Sequence, residues 1–115
     1  MKLYFDETCY GEDFETVCDW PEGWAHGCEY PDGSIDYSES DVWFKAYDTS
    51  LCENERDREL FEQGYGFNCV VRLRYVTSGL YCEDELASFP ALDRRDAERL
   101  LQITADEIYG KEEGE

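Results

Sequence analysis

The sequence predicts an α+β fold: a small antiparallel sheet of four to six short strands with two helices packed on one face. Three observations carry this expectation. Positions 66–82, GFNCVVRLRYVTSGLYC, alternate strictly, with Phe67, Cys69, Val71, Leu73 and Tyr75 on one parity and Asn68, Arg72 and Arg74 on the other. Such a period of two, rich in β-branched and aromatic residues, marks a strand with one buried and one wet face. Positions 93–109 instead place Ala97, Leu100, Leu101, Thr104 and Ile108 along one helical face. Turn-forming clusters then punctuate the remainder at short intervals.

In order, Leu3-Tyr4-Phe5 reads as a brief opening strand and 14–20 (FETVCDW) as a second. Pro21-Glu22-Gly23 breaks the chain. Around Pro31-Asp32-Gly33, the residues Cys28 and Tyr30 before the turn alternate with Ile35 and Tyr37 after it, which predicts a hairpin. After the turn at Ser38-Glu39-Ser40-Asp41, the strand 42–47 puts Val42, Phe44 and Ala46 on one face and Trp43, Lys45 and Tyr47 on the other. A helix over 51–63 follows, with Ser50 and Glu53 as a capping box and Gly64 as its stop. The central strand turns at Ser78-Gly79 into a short return arm, Leu80-Tyr81-Cys82, and 83–90 reads as a loop. The last helix takes Asp93 as N-cap, Leu92 as a staple to Ala97 and Gly110 as its stop. With no internal repeat or linker, residues 1–115 form one acidic domain whose tail, 111–115, frays.

The charge is extreme. Twenty-nine carboxylates against ten Lys and Arg give −19, yet 42% hydrophobic and 16% aromatic content is too rich for a disordered chain. The excess is lopsided: residues 1–62 carry −14 and residues 63–115 only −5. A surface of this sign repels nucleic acid and anionic membranes and attracts basic surfaces, which in cells mostly hold nucleic acid. The opening residues, MKLYFDETCYG, contain no apolar run suited to export, and no stretch approaches a membrane span. A reducing cytoplasm (the host's, if the protein is phage-encoded) is therefore expected, with the six cysteines as free thiols and structural disulfides as the alternative.

Catalytic chemistry finds little purchase. His26 is the single histidine and sits in a loop, and no nucleophile elbow, phosphate-cradling glycine loop or paired metal-ligand spacing occurs. The segment from Asp32 resembles a calcium loop only at its start, because Tyr37 and Trp43 stand where glycine and glutamate are required. No catalytic residue, metal or other cofactor is expected. What remains is the acidic surface. Carboxylates two apart on a strand recur about every 6.6–7 Å, comparable to the step between phosphates on a polynucleotide. The expectation is a non-catalytic inhibitor that mimics DNA or RNA and fills the basic channel of an enzyme, foremost a phage-type anti-CRISPR protein blocking a CRISPR–Cas effector. Another DNA mimic, directed at restriction enzymes or DNA glycosylases, is the alternative, as is an acidic interaction module with disulfides. Salt adaptation would also explain the acidity. The residues expected to contact the basic partner are Glu12, Asp13, Glu15, Asp19, Glu22, Glu29, Asp32, Asp36, Glu39 and Asp41, gathered near one end of the sheet, with Trp20, Trp24 and Tyr30 as aromatic anchors.

Overall fold

A computed structural model describes residues 1–21, 28–29, 32, 35–36, 40–77 and 80–110. At its centre β5 (Asp41–Asp48) pairs antiparallel with β6 (Phe67–Thr77), in register Val42 to Leu73, Phe44 to Val71 and Ala46 to Cys69. Directly paired residues share a face of an antiparallel sheet, so the two apolar alternations predicted from sequence coincide. On the flanks, β2 (Phe14–Asp19) pairs with β5 and β7 (Leu80–Ala91) with β6, while β1 (Asp6–Glu7) adds two residues beside β2. The sheet order is β1-β2-β5-β6-β7, and β3 (Cys28–Glu29) and β4 (Ile35–Asp36) form a separate two-stranded ladder.

The apolar face lies under α2 (Arg94–Tyr109), which contributes Ala97, Leu101 and Ala105 to a core shared with Phe14, Val42, Phe44, Val71, Leu73 and Leu3. Phe14, Val42, Phe44 and Leu101 are completely buried, and each such side chain contributes about 1.5–3 kcal/mol by leaving water. Small residues on α2 let the helix approach the sheet closely, and its N-cap is Asp93, whose carboxylate accepts from Asp96 N–H at 2.9 Å. Leu92 is 61% exposed and makes no staple; its N–H donates to the Asp96 carboxylate at 3.0 Å instead. Gln102 clamps the start of the chain to this helix, accepting from Leu3 N–H at 2.8 Å and donating to Met1 C=O at 2.6 Å.

The α+β class, the central strands and the last helix are as expected. β3 pairs with β4 as the arms of the expected hairpin, whose Tyr30, Pro31, Gly33 and Tyr37 lie outside the described residues. Ser78-Gly79 and the tail 111–115 lie outside them too. Several details differ for physical reasons. The opening segment packs Leu3 into the core as coil, and the paired residues come later, at Asp6 and Glu7. The Ser50–Glu53 box does not form, because Asp48 captures Ser50 N–H and leads into a 3-10 turn, Thr49–Leu51. Cys52 then adopts a left-handed conformation with φ 50°, and α1 (Glu55–Glu62) starts late, capped by Asn54. This helix meets β6 through Asp57, which accepts from Asn68 on the face opposite α2, so the two helices flank the sheet instead of sharing the one face expected. Finally, the region read as a loop at 83–90 continues β7 to Ala91. Pairing with the long β6 overrides the weak strand preference of its Asp and Glu residues.

Candidate functional site

On the face away from α2, register stacks side chains in rows across four strands. One row reads Asp19, Asp41, Arg74, Glu83; the next reads Val17, Trp43, Arg72, Glu85; a third reads Glu15, Lys45, Val70, Ser88. Trp43 is the hub. Lys45 Nζ stands 5.3 Å from its ring centroid, and the guanidinium carbons of Arg72 and Arg74 stand at 5.4 and 5.2 Å. A ring face attracts cations by its quadrupole, more so where water is thinned. Trp43 Nε1 donates to Glu15 at 2.6 Å, and Arg74 Nε donates to Asp41 at 2.8 Å. Burial works against the Arg74 charge, but its bond to Asp41 prevails and raises its pKa. Lys45 also lies 4.7 Å from the Tyr47 ring and within ion-pair reach of Asp13 and Glu15.

The positive charges of the sheet are thus drawn into its middle, and two of the three on α2 are likewise engaged, Arg95 standing exposed. Arg94 pairs with Glu7 and Glu98, and Arg99 with Asp96. Carboxylates occupy the perimeter. Along α1, Glu55, Glu59 and Glu62 are all exposed, at i, i+4 and i+7 on the side away from buried Asp57 and Leu60, with exposed Arg56 and Arg58 interspersed. On β7, consecutive Glu83, Asp84 and Glu85 are exposed. Between the start of α1 and the Trp43 face of the sheet lies a cleft of about 320 Å³ with Glu53, Arg56, Asp57, Asn68, Arg72 and Glu85 in its walls. Asn68 donates to Asp57 at 3.2 Å, while its buried Oδ1 has no hydrogen-bond partner.

The residues singled out from sequence fall in several places. Glu12 is exposed, with its N–H bound to Asp48. Asp13 is only 2% exposed and accepts from Asp48 N–H at 2.6 Å, so it staples a turn and presents nothing to a partner. Burial pushes its carboxyl pKa up, over the opposition of that hydrogen bond and of Lys45. Glu15 and Asp41 are half-buried among the cations described above. Asp19 is exposed, and Trp20 is half-buried against the core. These two share a groove of about 460 Å³ with Tyr4 and Tyr109 along the free part of β2. Asp32 is an exposed turn residue. Glu29 and Asp36 lie on the β3–β4 ladder by their backbones, whereas Glu22, Trp24, Tyr30 and Glu39 lie outside the described residues.

The expected gathering at one end of the sheet does not occur among the described residues. Asp19 and Asp41 pair at one end of β2, while Glu12 and Asp13 precede its other end, a separation of roughly 17–20 Å for a six-residue strand. The β7 triplet was hidden by a bulge. Ala87, Phe89 and Ala91 alternate toward α2, but Arg72 pairs with Glu85 and Val71 with Ala87, leaving Leu86 unmatched and reversing the parity of 80–85.

Among the described residues, no three His, Cys, Asp or Glu side chains converge as a metal site would require, and no helix is long and apolar enough to cross a membrane. Cys9, Cys18, Cys52, Cys69 and Cys82 are free thiols, and burial pushes the Cys69 thiol up to about 12. No protein-family model, curated protein or solved structure matches the chain.

Proposed function

We propose that the protein is a non-catalytic inhibitor that presents carboxylates in place of polynucleotide phosphates and occupies the basic nucleic-acid channel of a target enzyme, acting in the cytoplasm. The observation that carries this reading is the segregation of charge. Lys45, Arg72 and Arg74 are held at Trp43, and Arg94 and Arg99 in ion pairs on α2. The helix row Glu55, Glu59, Glu62, accompanied by Arg56 and Arg58, and the strand triplet Glu83, Asp84, Glu85 instead stand exposed. Residues i and i+4 on a helix rise about 6 Å apart, so the two rows repeat negative charge at a polynucleotide-like interval. Inhibition is stoichiometric, with fast, salt-sensitive association.

CRISPR–Cas effectors are the first targets to test, since they hold guide and target strands in long positive channels; restriction enzymes and DNA glycosylases follow. The experiment is titration of the protein against such enzymes, with competing duplex DNA, alongside variants reversing each carboxylate row to lysine. Loss of inhibition on reversing a row, together with relief by excess DNA, supports mimicry. Inhibition that survives reversal of both rows, or binding that DNA does not displace, overturns it.

A further inference from the structure

Beyond the placement of charge, β7 carries a docking device. It runs twelve residues at the margin of the sheet and, among the described residues, hydrogen-bonds to β6 and to no other strand. An open edge presents a row of backbone donors and acceptors ready to accept another strand. This one has apolar contact area beside it, since Leu80 is 68% exposed, Tyr81 62% and the bulged Leu86 39%. Its middle carries Glu83, Asp84 and Glu85.

We propose that this edge, over positions 80–88, receives an extended lysine- or arginine-bearing segment of the partner protein as a sixth strand. The inference rests on the reading that the partner is basic, and it names the contact. Charge selects the occupant. A second copy of the chain, paired edge to edge, would bring two acidic triplets together, and like charges directly opposite destabilise a sheet. A basic strand instead finds a carboxylate on each face in turn, because Glu83 and Glu85 share the Trp43 face while Asp84 points to the other.

A second observation points the same way. The unpartnered Asn68 Oδ1 lies in the cleft that Glu85 and Ser88 border, on the same face of the sheet. An added strand lies roughly 10 Å from β6, two strand spacings away, and an extended basic side chain on that face is directed toward the cleft. There, among Glu53, Asp57 and Glu85 and beside the cleft's own Arg56 and Arg72, an ammonium or guanidinium donor meets an acceptor that the protein leaves unused. Beyond Ser88 the edge closes, since Pro90 has no N–H to offer.

The test uses the full chain and two nine-residue peptides alternating lysine and threonine, one unmodified and one N-methylated at every backbone nitrogen. Both keep the charge, but the second cannot form a ladder. Amide exchange by NMR and binding titrations are read together. We expect the unmodified peptide to bind at least about tenfold more tightly, to slow exchange along 80–88, and to lose this advantage with the Glu83→Lys/Glu85→Lys variant. Equal binding of both peptides, binding of neither, or β7 outer amides already protected in the free chain overturns the proposal. Equal binding leaves the acidic-inhibitor reading intact. Edge pairing without inhibition of any nucleic-acid enzyme would instead remove that reading and keep the edge.

Discussion

Toward α2, the centre of the sheet offers Val42, Phe44, Ala46, Val71 and Leu73, completely or almost completely buried. The opposite face of the same strands offers Trp43, Lys45, Arg72 and Arg74, half-exposed and fenced by Glu15, Asp41, Glu83 and Glu85. One face is held by burial, which is insensitive to partner identity. The other is held by cation–aromatic and ionic contacts whose strength depends on water, salt and whatever docks there. The contrast shows how a chain of −19 folds at all: its core strands spend every second residue on a dry face, and self-repulsion is confined to the other side and the rim.

If that division holds, the largest loss of stability comes from the dry face. Phe44→Ala should cost about 3–5 kcal/mol by urea unfolding; a cost under about 1 kcal/mol would mean that the core is placed wrongly. Next come the buried acids at the turn. Asp13→Ala leaves Asp48 N–H without its acceptor and should cost about 1–3 kcal/mol.

The same pair gives opposite pH signatures. Burial raises the Asp13 pKa in the folded chain, so folding favours its protonated form and its contribution improves as pH falls. Asp48 goes the other way. Burial opposes ionisation, but bonds from the Ser50 hydroxyl and the N–H groups of Glu12 and Ser50 hold its pKa below the usual carboxylate value. Its stabilisation is present above the ordinary carboxylate range and is lost as pH falls through the folded value. Unfolding followed from pH 7 to pH 3 should therefore show a shallower acid decline for Asp48→Asn than for wild type, and a steeper one for Asp13→Asn.

On the wet face the effects shrink. Trp43→Phe keeps a ring for the cations but deletes the donor to Glu15, and should cost about 1 kcal/mol. Smallest is Glu83→Gln/Glu85→Gln, within about 0.5 kcal/mol by the same assay because both side chains are exposed and no like charge is set opposite Arg72 or Arg74. A large destabilisation there would show that the rim carries the fold as well as the charge, and would erase the contrast.

Most of the framework was legible in the chain because alternation and helical spacing report burial directly. The parity of 42–47, the pattern of 67–75 and the stripe from Ala97 to Ile108 all survive in the structure. What escaped reading depends on partners distant in sequence. The bulge at Leu86 concealed β7, and the competition of Asp48 for Ser50 N–H displaced the start of α1. The candidate surface was harder still. Acidity is visible in composition, but whether a carboxylate is displayed, as with Glu59, or enclosed, as with Asp13, follows from tertiary contacts that no local pattern encodes.

The helix that roofs the apolar face follows every strand of the sheet in chain order, so it leaves the ribosome after them. Until it emerges, the nascent chain has a complete set of strands and nothing to cover their oily side, the state in which polypeptides most readily stick to one another. Mutual repulsion between such strongly anionic chains keeps them apart during that interval, so the same charge that marks the finished surface also chaperones its making.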